Sequence, residues 1–428
     1  MTTLAIVVLL FVLMLCGIPL AFALLTAGVA GLYTVGGASM VLGILKTTPL
    51  SAANTYELLT IPMFMLMAEF VILSGIADNL FRAATVWVGR FPGGLGVATA
   101  MAGAAFGAIS GSSTASAATL SATTLPSMLR AGYPPHIASG AVAISGTLAM
   151  LIPPSVAIVL YGLIANQNIG ELLIAGILPG LLVAFTIAAT VVIVVLASGT
   201  KPTTQRYSIR DKFAALKVVG PMVALFLMVT GVIYLGVATP TEAASLGAAG
   251  AMLLAWRAGK LTWQGLRHAL TRAANTTCMI MLIIMCASVF AYFFTLTGLT
   301  QDLVAWIGAL GISRWLVLLL ILAIYIVLGC FLDQISVLIL TIPITLPVVM
   351  ALGFNPIWFG ILVIVTAELG MVTPPVGLNV FVVARYSGMP AAQVFIGIWP
   401  HILAHIVAIA ILLIWPEIIL WLPTTMGN

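Results

Sequence analysis

Long apolar runs separated by short polar breaks cover the chain from one end to the other. The runs are about 20 residues long and carry few charges, which is the length an α-helix needs to cross the hydrocarbon core of a bilayer. The longest polar interruption, residues 198–212, is far too short for a soluble domain. We therefore predict an all-α polytopic membrane protein. In the first half, polar and Gly/Pro punctuation places its spans at residues 3–17, 19–36, 57–75, 134–164 and 171–197.

Two apolar segments of the first half, residues 94–109 and 113–129, are shorter than a span requires. They meet at the polar, small-residue turn SGSSTAS at residues 110–116 and follow an amphipathic stretch, DNLFRAATVWVGRF. Two short apolar legs joined by a polar tip are typical of a re-entrant hairpin, which enters and leaves the membrane on one side. We predict such a hairpin at residues 94–130.

A shift of 221 positions superimposes the second half of the chain on the first. Special residues then coincide at widely separated places: Pro19 with Pro240, Pro126 with Pro347, Gly132 with Gly353, Pro135 with Pro356, Pro153 and Pro154 with Pro374 and Pro375, Gly176 with Gly397, and Pro179 with Pro400. We predict two repeats, at residues 1–200 and 216–428, joined by a basic linker at residues 201–215. The second repeat comprises scaffold spans at 216–297, a hairpin at 313–350, a broken helix at 355–385 and a last span at 391–421.

Counting each hairpin as no crossing leaves five spans per repeat, and an odd number inverts the second repeat relative to the first. An outside N-terminus then places every Lys and Arg except Lys46 and Arg314 on one side of the membrane. Because basic residues near span ends mark the cytoplasmic face, we expect both termini outside, the first hairpin opening inward and the second outward. Inverted repeats with broken helices are the plan of secondary transporters, whose substrate site lies at the repeat interface near the midplane.

Composition and motifs exclude several other functions. The net charge of +5 is explained by orientation signals in loops, so we expect no nucleic-acid partner. No phosphate-binding glycine loop and no Ser-His-Asp arrangement is present, so neither direct ATP use nor an enzyme is expected. His401 and His405 have the i, i+4 spacing of a zinc site, but no third ligand accompanies them; we expect no transition metal.

The double prolines at 153–154 and 374–375 lie inside long apolar stretches. Proline removes one backbone hydrogen bond and blocks another, and a free carbonyl in hydrocarbon costs several kcal/mol. At a single proline kink, groups on neighbouring helices commonly pair with the freed carbonyls. Matched kinks in both repeats, each about 40 residues after a polar tip, favour unwound segments that present carbonyls and half-helix ends to ions and substrate.

The two polar tips supply oxygen ligands of the kind that a monovalent cation prefers. The first tip offers small hydroxyl residues, which equally serve close helix packing, while Asp333 in the second tip replaces Ser112 under the shift and is an acid within an apolar stretch. We propose two cation sites, each between a hairpin tip and the unwound segment of the same repeat. Candidate sodium ligands are Ser110, Gly111, Ser112, Ser113 and Pro153 for the first site, and Gly329, Asp333, Ser336, Thr373 and Pro374 for the second. Candidate substrate contacts are Ser112, Thr114, Ser155, Asp333, Gln334, Gly377 and Asn379.

Two further acids lie in apolar runs. Glu368 lies within two turns of the second break, where it could relay ions or substrate or could form structural hydrogen bonds. Glu69 lies in a span and has no counterpart in the other repeat, which favours a structural role.

The tips and breaks resemble the large membrane subunit (DctM type) of tripartite ATP-independent periplasmic (TRAP) transporters. The resemblance rests on GAISGSSTASAATL, LPSMLRAGYPP and SGTLAMLIPPS in the first half, and on GCFLDQISVLILTIPITLPV and ELGMVTPPVGLNVFVV in the second. It implies a sodium-driven importer of an organic acid such as a C4-dicarboxylate or a sialic acid, working by an elevator movement in the bacterial cytoplasmic (inner) membrane, with periplasmic termini. It also implies two partners: a periplasmic substrate-binding protein and a separate small subunit of about four spans.

Two other functions remain open at this point. One is a stand-alone ion-coupled anion carrier or exporter of the same superfamily, which needs no binding protein. The other is a membrane protein that does not transport, such as a scaffold or a membrane enzyme.

Overall fold

The computed structural model describes residues 2–200, 207–309 and 311–426, and these ranges contain helices and no strand. In the first half the helices are α1 (Thr2–Leu15), α2 (Leu20–Ala53), α3 (Thr60–Ser74), α4 (Ile76–Val88), α5 (Gly94–Ser110), α6 (Ser113–Thr123), α7 (Leu125–Arg130), α8 (Pro135–Ser145), α9 (Val156–Ala165), α10 (Ile169–Ala175) and α11 (Ile177–Ala197), with short 3₁₀ helices at Tyr56–Leu59 and Thr147–Met150. In the second half they are α12 (Ile209–Tyr234), α13 (Pro240–Arg257), α14 (Trp263–Thr297), α15 (Leu299–Ala309), α16 (Arg314–Phe331), α17 (Gln334–Ala351), α18 (Pro356–Gly370), α19 (Leu378–Ser387), α20 (Ala391–Ile414) and α21 (Glu417–Thr424). The predicted all-α class is confirmed.

Several helix ends differ from the predicted ones. Helix α2 kinks at Gly36 and Gly37 and continues to Ala53, so the glycines bend the helix where we expected it to end. Helix α12 begins at Ile209 behind a capping box of Ser208 and Asp211, and the end of the predicted linker is therefore helical. The remainder of that linker, with its basic residues Lys201 and Arg206, lies outside the described residues.

Helix α14 begins within the basic stretch that follows α13. Thr262 caps it by accepting a hydrogen bond from the Gly265 N–H at 3.1 Å, and the helix then runs for 35 residues. Arg267 and Arg272, which the charge count assigned to a loop, are therefore helical residues. The first half of α14 is charged and the second half is apolar, a pattern that predicts a loop followed by a span. The two halves nevertheless form one continuous helix.

Helix positions recur at the 221-residue shift, because Pro135 and Pro356 begin α8 and α18. By the same shift α2 corresponds to α13, and α3 to α14. Helix α14 packs along α2, and α13 packs along α3. The same pair of corresponding helices therefore packs together twice, each time with one helix from each half. The α3–α13 contact includes a hydrogen bond between the buried Thr60 and Thr241 hydroxyls at 2.7 Å. We call α2, α3, α13 and α14 the scaffold helices.

Within the described residues, eight helical segments are long and apolar enough to cross a membrane. They include both legs of the second predicted hairpin, α16 and α17, at 18 residues each, so length does not separate these legs from spans. The halves of both broken helices are each too short to qualify. The count of five crossings per repeat remains a prediction.

The most deeply buried part of the protein lies around α18, in which every residue from Trp358 to Gly370 is buried. The second half of each broken helix packs on the hairpin of the opposite repeat: α9 contacts α17, and α19 contacts α6. The large exposed apolar side chains lie on peripheral helices such as α2, α12, α14 and α20, as expected for lipid-facing surfaces. The hairpins and broken helices therefore form one interlocked unit.

Candidate functional site

The first hairpin turns at Gly111, whose φ of +56° ends α5 in a left-handed conformation. Ser112 then caps α6, its hydroxyl accepting from the Ala115 N–H at 3.3 Å. A Cβ at Gly111 would lie 2.7 Å from Cγ2 of Val156, the first residue of α9. Glycine therefore lets the tip lie directly against the helix that follows the first break.

The first double proline interrupts the helix as predicted. The segment between Met150 and Val156 is not helical, and the Pro153–Pro154 peptide bond is cis. Ser155 is fully buried; its hydroxyl donates to the Met150 carbonyl and caps α9 by accepting from the Ile158 N–H. The Ser155 hydroxyl therefore helps hold the broken backbone.

The second hairpin turns at Asp333, which caps α17. One carboxylate oxygen accepts from the Ser336 hydroxyl and the other accepts from the Ser336 N–H at 3.3 Å. Asp333 is exposed and lines a cavity together with residues of the first tip. A carboxylate has about four lone-pair positions, and the cap leaves part of that capacity for a ligand.

The second break is joined to its own hairpin through the backbone. The Gly377 N–H donates to the Cys330 carbonyl at 3.1 Å, and a Cβ on Gly329 would lie 2.8 Å from the Ala367 carbonyl oxygen. Thr373 bonds its hydroxyl to the Leu369 carbonyl at 2.6 Å. The Pro374–Pro375 bond is cis, as at the first break. Tip and break of this repeat are thus in direct contact.

A side-chain hydrogen bond crosses from one repeat to the other. Asn379, in the first turn of α19, donates from Nδ2 to the hydroxyl oxygen of Ser113 at 2.6 Å. Both side chains are buried. The first hairpin tip therefore contacts the post-break helix of the other repeat, whereas the predicted cation sites involved a tip and a break of the same repeat.

The two tips share one wall of a cavity of about 620 Å³. The wall contains Ser110, Gly111, Ser112, Ser113, Thr114, Asp333 and Gln334. Ser110 is hydrogen-bonded to Ser116 at 2.8 Å, and Ser112 to Thr114 at 3.3 Å. The predicted tip residues of both repeats are therefore brought together around a single space.

The opposite wall carries an ion pair that sequence reasoning did not place in the site. Arg272 on α14 lies 3.3 Å (Nε to Oε1) from Glu69 on α3, and both line the cavity. The arginine side chain is 56% exposed and that of the acid 15%, so Arg272 is the more accessible member of the pair. The ion pair gives Glu69 a partner and places it beside a cation at the site.

Several predicted residues do not line this cavity. Ser155, Gly377 and Asn379, proposed as substrate contacts, are absent from its wall, as are Gly329, Ser336, Thr373 and the prolines. Most of them instead form backbone contacts between a tip and a break, cap a helix, or form the hydrogen bond between the two repeats. These positions favour a role in holding the shape of the tips and not a direct contact with the substrate.

The oxygen groups around the tips have the chemistry of a sodium site. Buried acceptor oxygens without a partner in the described residues include Gln334 Oε1 and Asn379 Oδ1, and each side chain is fixed by its amide nitrogen, which for Gln334 donates to the Ile364 carbonyl at 3.0 Å. Hydroxyls at Ser110 and Ser112 and the Asp333 carboxylate add further oxygens. Hard cations select such neutral oxygens with few carboxylates.

Three buried polar side chains lie away from the cavity. Glu368 is fully buried, and neither of its carboxylate oxygens has a hydrogen-bond partner among the described residues. His405 lies 3.1 Å (Nε2) from the Val365 carbonyl, and His401 is also buried. Within the described ranges, no three His, Cys, Asp or Glu side chains are grouped as metal ligands.

The comparisons with known proteins agree with this architecture. Residues 7–418 match the family model described as tripartite ATP-independent periplasmic transporter, DctM component. The chain is 32% identical over 442 residues to the C4-dicarboxylate TRAP transporter large permease protein DctM of Rhodobacter capsulatus, covering all of both chains. It is 30% identical to the sialic acid TRAP transporter large permease protein SiaM of Vibrio cholerae, covering 96% of each.

A solved structure shares the fold. The YdaH transporter of Alcanivorax borkumensis superimposes with a TM-score of 0.65 over 89% of both chains, at 15% sequence identity. The family match covers nearly the whole chain and includes both tips and both breaks. The protein belongs to the DctM family, the large membrane permease components of the tripartite ATP-independent periplasmic transporters.

Proposed function

We propose that this transporter subunit imports an organic acid by sodium coupling, with an elevator movement of the hairpin unit against the scaffold. One observation carries the proposal: a cavity of about 620 Å³ has both hairpin tips on one wall and the Arg272 guanidinium on the other. Its volume lies in the range of small-molecule sites. A sodium ion is bound at each tip, and a carboxylate substrate occupies the space between them.

Arg272 is the group in this wall best suited to a carboxylate. Its guanidinium can donate two parallel hydrogen bonds to one carboxylate, a geometry that lysine lacks. Glu69 orients the guanidinium and offsets its charge when no substrate is bound. Ser112, Thr114 and Asp333, from the two tips, complete the proposed contacts around the substrate and the sodium ions.

The packing supports an elevator movement. The hairpins interlock with the broken helices of the opposite repeats, so they move as one unit, while the scaffold helices pack on one another. The two bodies meet where α3 contacts α5 and α9 and where α14 contacts α17. The substrate cavity lies along this boundary, so sliding would carry the tips and their ligands past Arg272.

Partners and location follow from the family as proposals. The other components of the complex are a periplasmic binding protein that delivers substrate and a small subunit of about four spans. The complex resides in the bacterial inner membrane with the permease termini periplasmic. C4-dicarboxylates and sialic acids, the compounds that name the two relatives, are the first substrates to test.

Uptake into proteoliposomes tests the function. The purified permease, its small subunit and its binding protein are combined with a labelled C4-dicarboxylate or sialic acid, with a sodium or a choline gradient. We expect uptake only with both sodium and the binding protein. Equal uptake with choline would overturn sodium coupling, and uptake without the binding protein would identify a stand-alone carrier.

A further inference from the structure

A second cavity, of about 590 Å³, lies at the base of the first hairpin, at the opposite end of α5 from the tip. Helix α4 forms one side, the start of α5 and the end of the hairpin around α7 form the other, and Tyr207 closes it. Its lining residues are Phe81, Arg82, Thr85, Gly89, Leu95, Thr123, Ser127, Arg130, Ala131 and Tyr207. None of them lines the tip cavity.

The charge of this second cavity is one-sided. Among the described residues that line it, Arg82 and Arg130 are the charged ones and none is an acid. In the described part of the chain neither arginine forms an ion pair. The Arg130 Nε donates to the Pro126 carbonyl at 3.2 Å, which fixes the side chain and leaves its terminal N–H groups available. Two guanidinium groups on facing elements therefore share one cavity.

The uncharged lining residues are of two kinds, hydroxyl side chains and apolar side chains. Thr85 and Thr123 donate their hydroxyls to carbonyls of their own helices at 2.8 Å, so their oxygens remain as acceptors, while Ser127 offers a hydroxyl that can donate. Phe81 and Leu95 form an apolar margin beside the arginines. A ligand with an anionic head and an adjoining apolar part matches this arrangement.

We propose that this cavity binds a phosphate-bearing anion, the headgroup of an anionic phospholipid being the form that its apolar margin suits. Guanidinium pairs bind phosphate oxygens with parallel, charge-assisted hydrogen bonds. The charge distribution of the chain places Arg82 and Arg130 on the cytoplasmic side, where anionic lipids concentrate, and basic pockets between membrane helices bind such headgroups. The bound headgroup joins α4 to the base of the hairpin. This site is independent of the proposed sodium and substrate sites.

Binding to the purified full-length protein tests the proposal. Short-chain phosphatidylglycerol, short-chain phosphatidylcholine and inorganic phosphate are each titrated against the detergent-solubilised protein, and phosphate is also titrated as a competitor of phosphatidylglycerol. Binding is followed by native mass spectrometry and thermal shift. We expect saturable phosphatidylglycerol binding that weakens by about tenfold or more in Arg82→Gln and in Arg130→Gln, because each loses charge-assisted hydrogen bonds. Arg267→Gln, which removes an exposed arginine elsewhere, is the matched control and retains binding.

The titrations with different ligands distinguish a lipid headgroup from a soluble phosphate compound. Phosphatidylglycerol binding that phosphate does not compete with identifies a lipid site, and equal competition by phosphate identifies a soluble phosphate compound. Arg82→Lys and Arg130→Lys keep the charge and report on folding; we expect intermediate affinity. Phosphatidylglycerol binding that is unchanged in both glutamine variants overturns the proposal.

Discussion

The hydrogen bond between Ser113 and Asn379 joins the two repeats inside the site and provides a quantitative test. Its partners are 266 positions apart, and the donor and acceptor lie 2.6 Å from each other. Ser113→Ala leaves the buried Asn379 amide without its partner, which costs about 1–3 kcal/mol of unfolding free energy. Asn379→Leu leaves the Ser113 hydroxyl unpaired at a similar cost.

The double variant removes both polar groups, so neither remains unpaired. We therefore expect it to lose about 1–2 kcal/mol less than the sum of the single losses, within the range found for directly contacting residues. The measurement is the free energy of unfolding of the purified protein in mixed micelles, followed by helical circular dichroism during a denaturing-detergent titration.

Ser121→Ala is the matched control, because Ser121 is also buried on α6 and its hydroxyl donates to the Ala117 carbonyl of its own helix at 2.7 Å. Combined with Asn379→Leu it should be additive within about 0.5 kcal/mol. If Ser113→Ala and Asn379→Leu are equally additive, the bond contributes nothing, and the two repeats are not joined through it.

Two further substitutions test the packing and the cavity. Gly397→Ala should destabilise the protein by about 1–3 kcal/mol or more, because the added Cβ would lie 1.7 Å from the His136 carbonyl oxygen. The control is Gly231→Ala on α12, where no described atom would lie within 4 Å of the added Cβ. Equal melting temperatures for the two variants would refute the close approach of α8 and α20. Arg272→Gln should raise the KM for substrate by about tenfold or more, since it removes a charged hydrogen-bond donor, whereas Arg267→Gln on the same helix should not; equal KM values in uptake assays would remove Arg272 from the substrate site.

Local sequence determined the breaks and the tips. Two consecutive prolines cannot continue a helix in any context, and SGSSTAS combines a glycine that reverses the chain with a serine that caps the next helix. These effects act over a few residues, so the positions of both interruptions and of the first tip could be predicted. The all-helical class follows equally directly from the apolar runs.

Contacts between distant segments could not be predicted in the same way. Arg272 ends a charged stretch and begins an apolar one, which has the pattern of a loop, and only the folded chain brings it to Glu69. Asp333 lies in an apolar stretch, and its exposure depends on a cavity that residues of both repeats line. The bond from Asn379 to Ser113 likewise depends on how the repeats interlock.

The sodium dependence of uptake tests the two-site proposal most directly. Initial rates are measured in proteoliposomes over a range of sodium concentrations for the unaltered protein, Asp333→Asn and Asp302→Asn, the last altering an exposed acid on α15 away from the site. Two sodium sites predict a sigmoidal dependence for the unaltered protein and for Asp302→Asn, and a weaker, less sigmoidal dependence for Asp333→Asn. The same sodium dependence in all three proteins would contradict a sodium site at the second tip.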